Sequence, residues 1–363
     1  MTKDPKISNI QIRGLMISSI IGVGTLSLPN QLVSIIGKDG WISIILSGVL
    51  TIPIIWIINQ IFLNNPGKDY FQIVKSTLGS TLFYLFMIIL SVYFIIFLGS
   101  ITRNLGQLVN AFLLPNTPIE IIILTFILAC SYIAIYEIDI IARAGYSIYP
   151  IIIITIFILI VTCIPTAEFT GILPVFQSDI TQLPKSIGTN FFSFAGFEML
   201  LFALPYAEDN KKTFKSSLLA ILIVTISYLG IFFMTLANFS SKQIKSQIYP
   251  VLMLAKQVDL PGYFLQNLDG LFMAMWILVV FASMAPTYFA MGKVLSKTFK
   301  TKDHKYFIWG LIPVIYFLAL IPENVAELFI IQERYLNILG FISIVITPVL
   351  VFIVGTIRKR FKQ

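Results

Sequence analysis

Long apolar runs alternate with short polar stretches along almost the whole chain of 363 residues. Because the hydrocarbon core of a bilayer is about 30 Å thick, a helix needs roughly 20 mainly apolar residues to cross it. The pattern therefore predicts an all-α polytopic membrane protein whose single membrane domain covers residues 1–363. Ten transmembrane helices are predicted, at residues 10–33, 41–63, 81–112, 119–136, 146–164, 187–207, 217–239, 264–295, 307–321 and 336–357.

The distribution of lysine and arginine bears on the number of spans and on their direction. The ninth run is short, and nine spans would place the two termini on opposite sides of the membrane. With ten spans and a cytoplasmic N-terminus, 18 of the 25 basic residues fall on the cytoplasmic side and 6 on the other, while Arg103 lies inside the third span. Cytoplasmic loops carry such an excess. The sequence thus predicts ten spans with both termini in the cytoplasm.

Composition supports the same class of protein. Hydrophobic residues make up 57 % of the chain and charged residues 12 %, whereas about a quarter of the residues in a soluble domain are charged. The net charge of +8 follows the predicted topology, so we expect membrane lipid around the chain and no nucleic-acid partner. The chain has no Walker A, HExxH or GxSxG motif, and its one histidine, His304, lies in a predicted basic cytoplasmic loop. We therefore expect no enzyme, no cofactor and no metal site.

Two predicted outer loops are longer than simple connections. Residues 165–186 contain three prolines and are expected to pack over the helices. Residues 240–263 contain the amphipathic stretch IYPVLMLAKQ, which predicts a short interfacial helix. Neither loop is long enough to form a domain.

Glycines interrupt the first and the sixth predicted spans at corresponding places. The first contains IGVGT followed by Pro29, and the sixth contains SFAGFE followed by Pro205. In a chain of ten helices these are equivalent positions of two five-helix halves, at about 10–164 and 187–357. Paired interruptions of this kind indicate a midplane binding site in a 5+5 inverted-repeat transporter fold. The alternative is that the glycines only allow close helix packing.

The two breaks also predict the chemistry of a ligand. Free amides at the start of a half-helix favour a carboxylate, and free carbonyls favour an ammonium group, so a zwitterionic amino acid suits the pair. Thr25 would add a hydroxyl at the first break. Glu198, at the second, is a candidate counter-charge for an amine or a protonatable relay. The alternatives for Glu198 are a neutral structural carboxyl and a partner for Arg103.

Side chains on two other spans extend the candidate site. Ser283 and Thr287 lie one turn apart on the eighth span, so both hydroxyls either point into the bundle or bond to their own backbone. Tyr93 and Phe97, one turn apart on the third span, either line a cavity or pack against neighbouring helices. Two further charged residues are given no ligand role and are expected to reach towards the membrane surface; they are Arg103 and Asp269.

Several motifs occur in a characteristic order and spacing. They are IIGVGTLSLP in the first span, Thr102-Arg103 in the third, GILPV before the sixth, SFAGFEMLLFALP within it, and MWILVVFASMAPTYFAMGKVLSKTF in the eighth. Together they resemble the B subunit of the spore germinant receptors, a family among the amino acid/polyamine/organocation permeases. The similarity extends over nearly the whole chain.

This resemblance implies a LeuT-like ten-helix fold, residence in the inner membrane of a bacterial endospore, and assembly with an A-type subunit and a lipoprotein C-type subunit. It also implies that the chain recognises a small germinant, often an amino acid, and triggers germination. The family varies in side-chain size at Phe97, so the identity of the ligand does not transfer. Carried over by position, the pocket would comprise Gly22, Val23, Gly24, Thr25, Phe97, Ala195, Gly196, Phe197, Glu198, Ser283 and Thr287.

Three functions are compatible with these residues. The first is a receptor in which a bound ligand shifts the bundle between two states and signals to partner subunits. The second is a proton- or sodium-coupled amino-acid permease, with Glu198 as a candidate proton group. The third is an ion or water conduit that the partner subunits open.

Overall fold

The computed structural model describes residues 6–22, 24–257 and 268–360. The described chain is all-helical, apart from its connections and one isolated parallel bridge between Ile7 and Ala207. The α-helices are α1 (Asn9–Ile20), α2 (Gly24–Ile36), α3 (Gly40–Leu63), α4 (Tyr70–Leu78), α5 (Ser80–Phe112), α6 (Ile119–Ala134), α7 (Ile138–Cys163), α8 (Leu183–Phe191), α9 (Leu200–Ala203), α10 (Asn210–Asn238), α11 (Ser241–Ser246), α12 (Pro250–Lys256), α13 (Leu268–Thr298), α14 (Lys305–Leu320), α15 (Val325–Ile331), α16 (Asn337–Gly340) and α17 (Thr347–Arg360).

Six helical segments of the described chain are long and apolar enough to cross a membrane. A seventh results if Ile180–Phe194 and Phe197–Tyr206, which meet at an angle of 45°, form one span. α6 and α14 are shorter apolar helices. Each of the ten predicted spans overlaps a helix, but ten crossings and the inverted repeat remain predictions. The six segments are Gly24–Leu63, Ser80–Phe112, Ile138–Thr166, Asn210–Asn238, Gly270–Thr298 and Val325–Lys359.

Helix boundaries differ most from the prediction where charged or polar residues lie among the first turns of a helical segment. α7 begins at Ile138, α10 at Asn210 and α15 at Val325, which are 8, 7 and 11 residues before the predicted starts. The early start of α10 is a capping effect, because the Asp209 side chain accepts the Lys211 N–H at 3.0 Å. Hydropathy registers only the apolar part of such a helix, so the first turns are missed.

α1 is held against α7 by an unusually close approach of the two backbones. A Cβ atom on Gly14 would lie 2.6 Å from the Cα of Tyr146, and one on Gly145 would lie 3.1 Å from the Cα of Leu15. Only glycine allows this separation. α1 also packs against α10 and α13, so three helices surround the first break.

The loop between α7 and α8 is attached to the turn between α2 and α3. Asp39 in that turn is buried and accepts the N–H groups of Phe176, Gln177 and Ser178 at 2.7, 3.1 and 3.0 Å. The Phe176 ring packs edge-on against Trp41. The prediction that residues 165–186 pack over the helices is confirmed.

The stretch IYPVLMLAKQ forms α12, whose apolar side chains are covered by protein rather than by a membrane interface. Val251, Leu252 and Leu254 are buried, and α12 packs against α2, α10 and α13. Just before α12, the Tyr249 hydroxyl donates to Asn104 Oδ1 on α5 at 2.6 Å. The helix was predicted correctly, but its environment was not.

His304, expected in a basic loop, lies in the connection between α13 and α14, and its side chain is buried. Its Nε2 lies 3.2 Å from the carbonyl of Ala134, and its Nδ1 lies 3.4 Å from Asp303. Glu137 approaches the same ring nitrogen at 3.9 Å and pairs with Lys293 at 2.9 Å. Burial, and then the charge of Lys293, lower the pKa of His304.

This environment predicts a loss of stability in acid. Because the pKa of His304 is lower in the folded than in the unfolded chain, the unfolded chain binds the proton more readily once the pH falls below about 6.5. His304→Gln keeps an N–H donor and removes this titration. We expect the variant to lose less thermal stability than the wild type between about pH 7 and pH 5. Equal losses in thermal unfolding scans would contradict the assignment.

Candidate functional site

The first predicted break is present between α1 and α2. α1 ends at Ile20, Ile21 is extended (φ −75°, ψ 111°), and α2 begins at Gly24. The Thr25 N–H donates to the Gly22 carbonyl at 3.2 Å, which is a turn rather than a continuous α-helix. Val23, also predicted to contact the ligand, lies outside the described residues.

The second predicted break is present between α8 and α9. A 3-10 turn at Phe192–Phe194 is followed by extended Ala195 (ψ 143°) and by Gly196 with φ 121°. A second 3-10 turn, Phe197–Met199, then leads into α9. A positive φ of this size favours glycine, so the backbone direction here depends on Gly196.

The two breaks contact each other. A Cβ atom on Gly196 would lie 2.5 Å from the carbonyl oxygen of Ser19 at the end of α1. A Cβ atom on Gly22 would lie 3.0 Å from the Oγ of Ser283 on α13. The structure therefore brings the first break, the second break and Ser283 into one place.

Glu198 is buried at the second break, where its carboxylate is bonded to neutral donors. Oε2 accepts the N–H of Gly196 at 2.6 Å, and Oε1 accepts the hydroxyl of Tyr93 at 3.2 Å. Only 2 % of the Glu198 surface is exposed. The carboxylate thus caps an amide that the break leaves without a helical partner, and it is a negative or protonatable group inside the bundle.

Arg103 is not the partner of Glu198. Tyr93 and Arg103 lie ten residues apart on α5, so a helical rise of about 15 Å separates them. The Arg103 guanidinium is mostly buried and donates to the Glu323 carbonyl at 3.0 Å. Its side chain thus reaches the exposed connection between α14 and α15, and the expectation that it extends towards the membrane surface stays a prediction. The side chain of Asp269 lies outside the described part of the chain.

The hydroxyls of the eighth span bond to their own helix. Ser283 donates to the Val280 carbonyl at 3.0 Å, and Thr287 donates to the Ser283 carbonyl at 3.3 Å. Both side chains are buried. Of the two alternatives predicted from the sequence, the bond to the helix's own backbone is the one observed. A hydroxyl that donates to its own backbone is still able to accept a hydrogen bond from a ligand.

Aromatic side chains surround the breaks. The ring of half-buried Phe97 lies 6.2 Å from that of Tyr93, the hydroxyl partner of Glu198. Phe197 is fully buried and packs edge-on against Phe191. Phe97 is consequently near the second break, whereas Phe197 fills the interior behind it.

Two polar groups at the breaks, the hydroxyls of Tyr228 and Ser19, were not identified from the sequence. The Tyr228 hydroxyl on α10 lies 3.2 Å from the Ile20 carbonyl and 2.8 Å from the Ser193 carbonyl. The hydroxyls of Ser19 and Thr25 are buried without a hydrogen-bond partner among the described residues, although Thr25 lies near the Tyr228 hydroxyl. The only sequence feature that could have pointed to Tyr228 is the polar pair Ser227-Tyr228 inside an apolar span.

No group of three or more His, Cys, Asp and Glu side chains within the described ranges is placed to hold a metal ion. The polar groups at the breaks are backbone carbonyls, hydroxyls and one carboxylate. Such a set is able to hold an amine or another small polar ligand.

The chain is similar over nearly its whole length to several spore germination proteins. It is 26 % identical over 356 residues to the spore germination protein YndE of Bacillus subtilis, with 98 % of each chain covered. It is also 26 % identical over 366 residues to the spore germination protein GerLB of Bacillus cereus, with 98 % of this chain and 96 % of the relative covered.

Solved transporter structures share the fold. MhsT in complex with L-phenylalanine superposes with a TM-score of 0.69 at 14 % identity, covering 98 % of this chain and 99 % of that one. A Na⁺-coupled sialic acid symporter in a substrate-bound outward-open state superposes with a TM-score of 0.68 at 10 % identity, covering 93 % and 77 %. At these identities the likeness concerns the fold alone.

The helices, the breaks and these likenesses define an integral membrane protein with a LeuT-type transporter fold. Within that class, the chain belongs to the spore germination protein family, whose model matches residues 6–328, and this membership indicates a non-enzymatic membrane protein.

Proposed function

We propose that this chain is the B subunit of a spore germinant receptor, which binds a small amino-acid-like germinant between the two breaks and triggers germination through partner subunits. The observation that carries the proposal is the contact between the breaks, where Gly196 lies against Ser19 and Glu198 lies inside the bundle. Irregular backbone survives at membrane depth only where it is buried in protein or lines a cavity.

The polar groups at the breaks suggest how such a ligand is oriented. The amide of Gly196 is already bonded to Glu198, so the second break offers mainly acceptors. Gly24, which begins the 13-residue helix α2, is exposed, and a Cβ atom there would meet nothing within 4 Å. We assign the ligand carboxylate to the start of α2 and its ammonium group to Glu198 and the break carbonyls.

The pairing at the start of the chain supports an inverted arrangement of the two interrupted segments. The Ile7 N–H donates to the Tyr206 carbonyl at 2.8 Å, and the Glu208 N–H donates to the Ile7 carbonyl at 3.0 Å. The beginning of α1 therefore lies beside the end of the second interrupted segment, although the bridge itself is locally parallel. Because Ser19 at the end of α1 lies against Gly196 at the second break, α1 and the segment from Gly196 to Tyr206 run in opposite directions. This is what a 5+5 inverted repeat with ten crossings requires.

The remaining assignments follow from the family and from the distribution of charge. We place the chain in the inner membrane of the spore, with both termini in the cytoplasm. Its partners in this proposal are an A-type subunit and a lipoprotein C-type subunit, to which the ligand-dependent change in the bundle is transmitted.

The double variant Ser283→Ala, Thr287→Ala tests the pocket. Removing the hydroxyl beside Gly22 and the one that lies one turn further along α13 is expected to raise the germinant concentration for half-maximal response about tenfold, since hydrogen bonds to ligands contribute about 1 kcal/mol or less each. The measurement is a dose–response curve on spores that carry this receptor. Thr235→Ala, which removes a buried hydroxyl bonded to its own helix on α10, serves as the control. An unchanged curve for the double variant would refute its place in the pocket.

A proton- or sodium-coupled amino-acid permease is the second candidate, favoured by the buried carboxyl of Glu198 and its neutral hydrogen-bond donors. Purified protein in proteoliposomes separates the two. Accumulation of labelled amino acid against its gradient would establish the permease, whereas saturable binding without flux is expected for the receptor. Conductance without ligand binding would indicate a conduit instead.

A further inference from the structure

α10 contributes a side chain that contacts both breaks at once. The Tyr228 hydroxyl is buried, and it lies 3.2 Å from the Ile20 carbonyl and 2.8 Å from the Ser193 carbonyl. Its ring is held edge-on against Phe194, with the ring centroids 5.4 Å apart. The position of this hydroxyl is therefore fixed by packing as well as by its two acceptors.

Both acceptors are carbonyls that the breaks deprive of their helical partners. In a continuous helix the Ile20 carbonyl would accept the amide of Gly24, and the Ser193 carbonyl would accept the amide of Phe197. α1 ends at Ile20, and Ala195 is extended, so neither helical bond forms. A tyrosine hydroxyl has one proton, and it is shared here between two buried acceptors.

We infer that Tyr228 is a positioning residue that occupies, in the resting protein, the place taken by the primary ammonium group of the ligand. This inference rests on the proposed function. An ammonium group carries three N–H donors, so it satisfies both carbonyls fully where one hydroxyl does so only in part. Arrival of the ammonium group then frees Tyr228, and with it α10, from the two interrupted segments.

In this arrangement the position of α10 depends on whether the ligand is bound. α10 leads into α11, and the Asn30 side chain of α2 donates to the Ile244 carbonyl of α11 at 2.9 Å. A change in the position of α10 is thereby passed to the segment that packs on α2. Ligand binding at Tyr228 would thus change the contact between α11 and α2.

The test compares Tyr228→Phe with Tyr288→Phe. Tyr288 is an equally buried tyrosine on α13 whose hydroxyl donates at 3.0 Å to a carbonyl away from the breaks, that of Ile308. If Tyr228 competes with the ammonium group, its replacement by Phe tightens binding about fivefold, the factor that one hydrogen bond represents. Tyr288→Phe leaves the affinity unchanged. A purely structural role would weaken binding in Tyr228→Phe, and that result would overturn the inference.

The probes are the common L-amino acids and methylammonium, titrated by calorimetry against the purified full-length chain in lipid nanodiscs. Hydrogen exchange without any ligand gives a second, independent comparison. Tyr228→Phe is expected to exchange faster than Tyr288→Phe at residues 19–25 and 193–199, because the carbonyls lose their shared donor. Equal exchange in the two variants would overturn the role of Tyr228. If no probe binds the wild type, the proposed function fails, while the exchange comparison still decides the place of Tyr228.

Discussion

Replacing Gly196 with alanine is expected to prevent the chain from accumulating as a folded protein. Two effects act together at this position. The backbone has φ 121°, which a side chain tolerates only with strain of about 1–3 kcal/mol. In addition, the new Cβ atom would lie 2.5 Å from the Ser19 carbonyl, and its nearest neighbours are all backbone atoms, which cannot turn away. We expect a total loss of about 3 kcal/mol or more.

The measurement is the fraction of monodisperse protein recovered from membranes, followed by its thermal unfolding. Gly24→Ala is the matched control, because Gly24 belongs to the other break and a Cβ atom there has nothing within 4 Å. Gly24→Ala should be recovered like the wild type. If Gly196→Ala were recovered equally well, the two breaks would not be packed against each other in the membrane.

Glu198→Gln is expected to leave the fold intact and to weaken the response to an amine-bearing ligand roughly a hundredfold. Glutamine keeps an oxygen that accepts the Gly196 N–H, so the second break remains capped. It removes the negative charge, and losing one partner of a buried hydrogen-bonded charge pair costs about 3 kcal/mol in binding. Dose–response curves on spores and calorimetry on the purified chain both measure this effect.

Two further variants separate the effect of the Glu198 charge on binding from its effect on stability. Glu198→Ala leaves the buried Gly196 amide without its acceptor and should lower stability by about 1–3 kcal/mol, unlike the glutamine variant. Glu168→Gln removes an exposed carboxyl in the loop after α7 and should change neither property. A normal ligand response in a well-folded Glu198→Gln protein would show that the group is only a structural carboxyl.

The positions of both breaks could be predicted because glycine weakens a helix locally, wherever the rest of the chain lies. That the two breaks share one site was predicted from their equivalent places in the two halves, but the residues in contact there were not. Gly196 reaches Ser19 through the packing of α1 against the second interrupted segment, and no periodicity in either segment encodes that pairing. The hydrogen bond between Tyr93 and Glu198 could not be predicted either, because nothing in the sequence distinguishes Tyr93 from the other aromatic residues of α5.

The role proposed for Tyr228 was even less predictable from the sequence. Its role depends on one hydroxyl lying between two carbonyls from segments more than 170 residues apart, Ile20 and Ser193, and a tyrosine in an apolar helix gives no sign of this. The spacing of Ser283 and Thr287 put both on one face of α13, and both are buried, but their bonds to their own backbone could be seen only in the structure. Spacing locates a side chain on a helix, whereas its partners depend on the neighbouring helices.

The glycine contact between α1 and α7 restricts how the bundle is able to move. Gly14 lies against Tyr146 and Gly145 against Leu15, so the backbones of the two helices approach each other closely at these two positions. We expect α1 and α7 to tilt together for this reason. The helical hydrogen bonds of α1 end at Ile20, so a tilt of this pair would bend the chain in the residues that follow, and the first break would then act as a hinge in addition to its proposed part in the pocket.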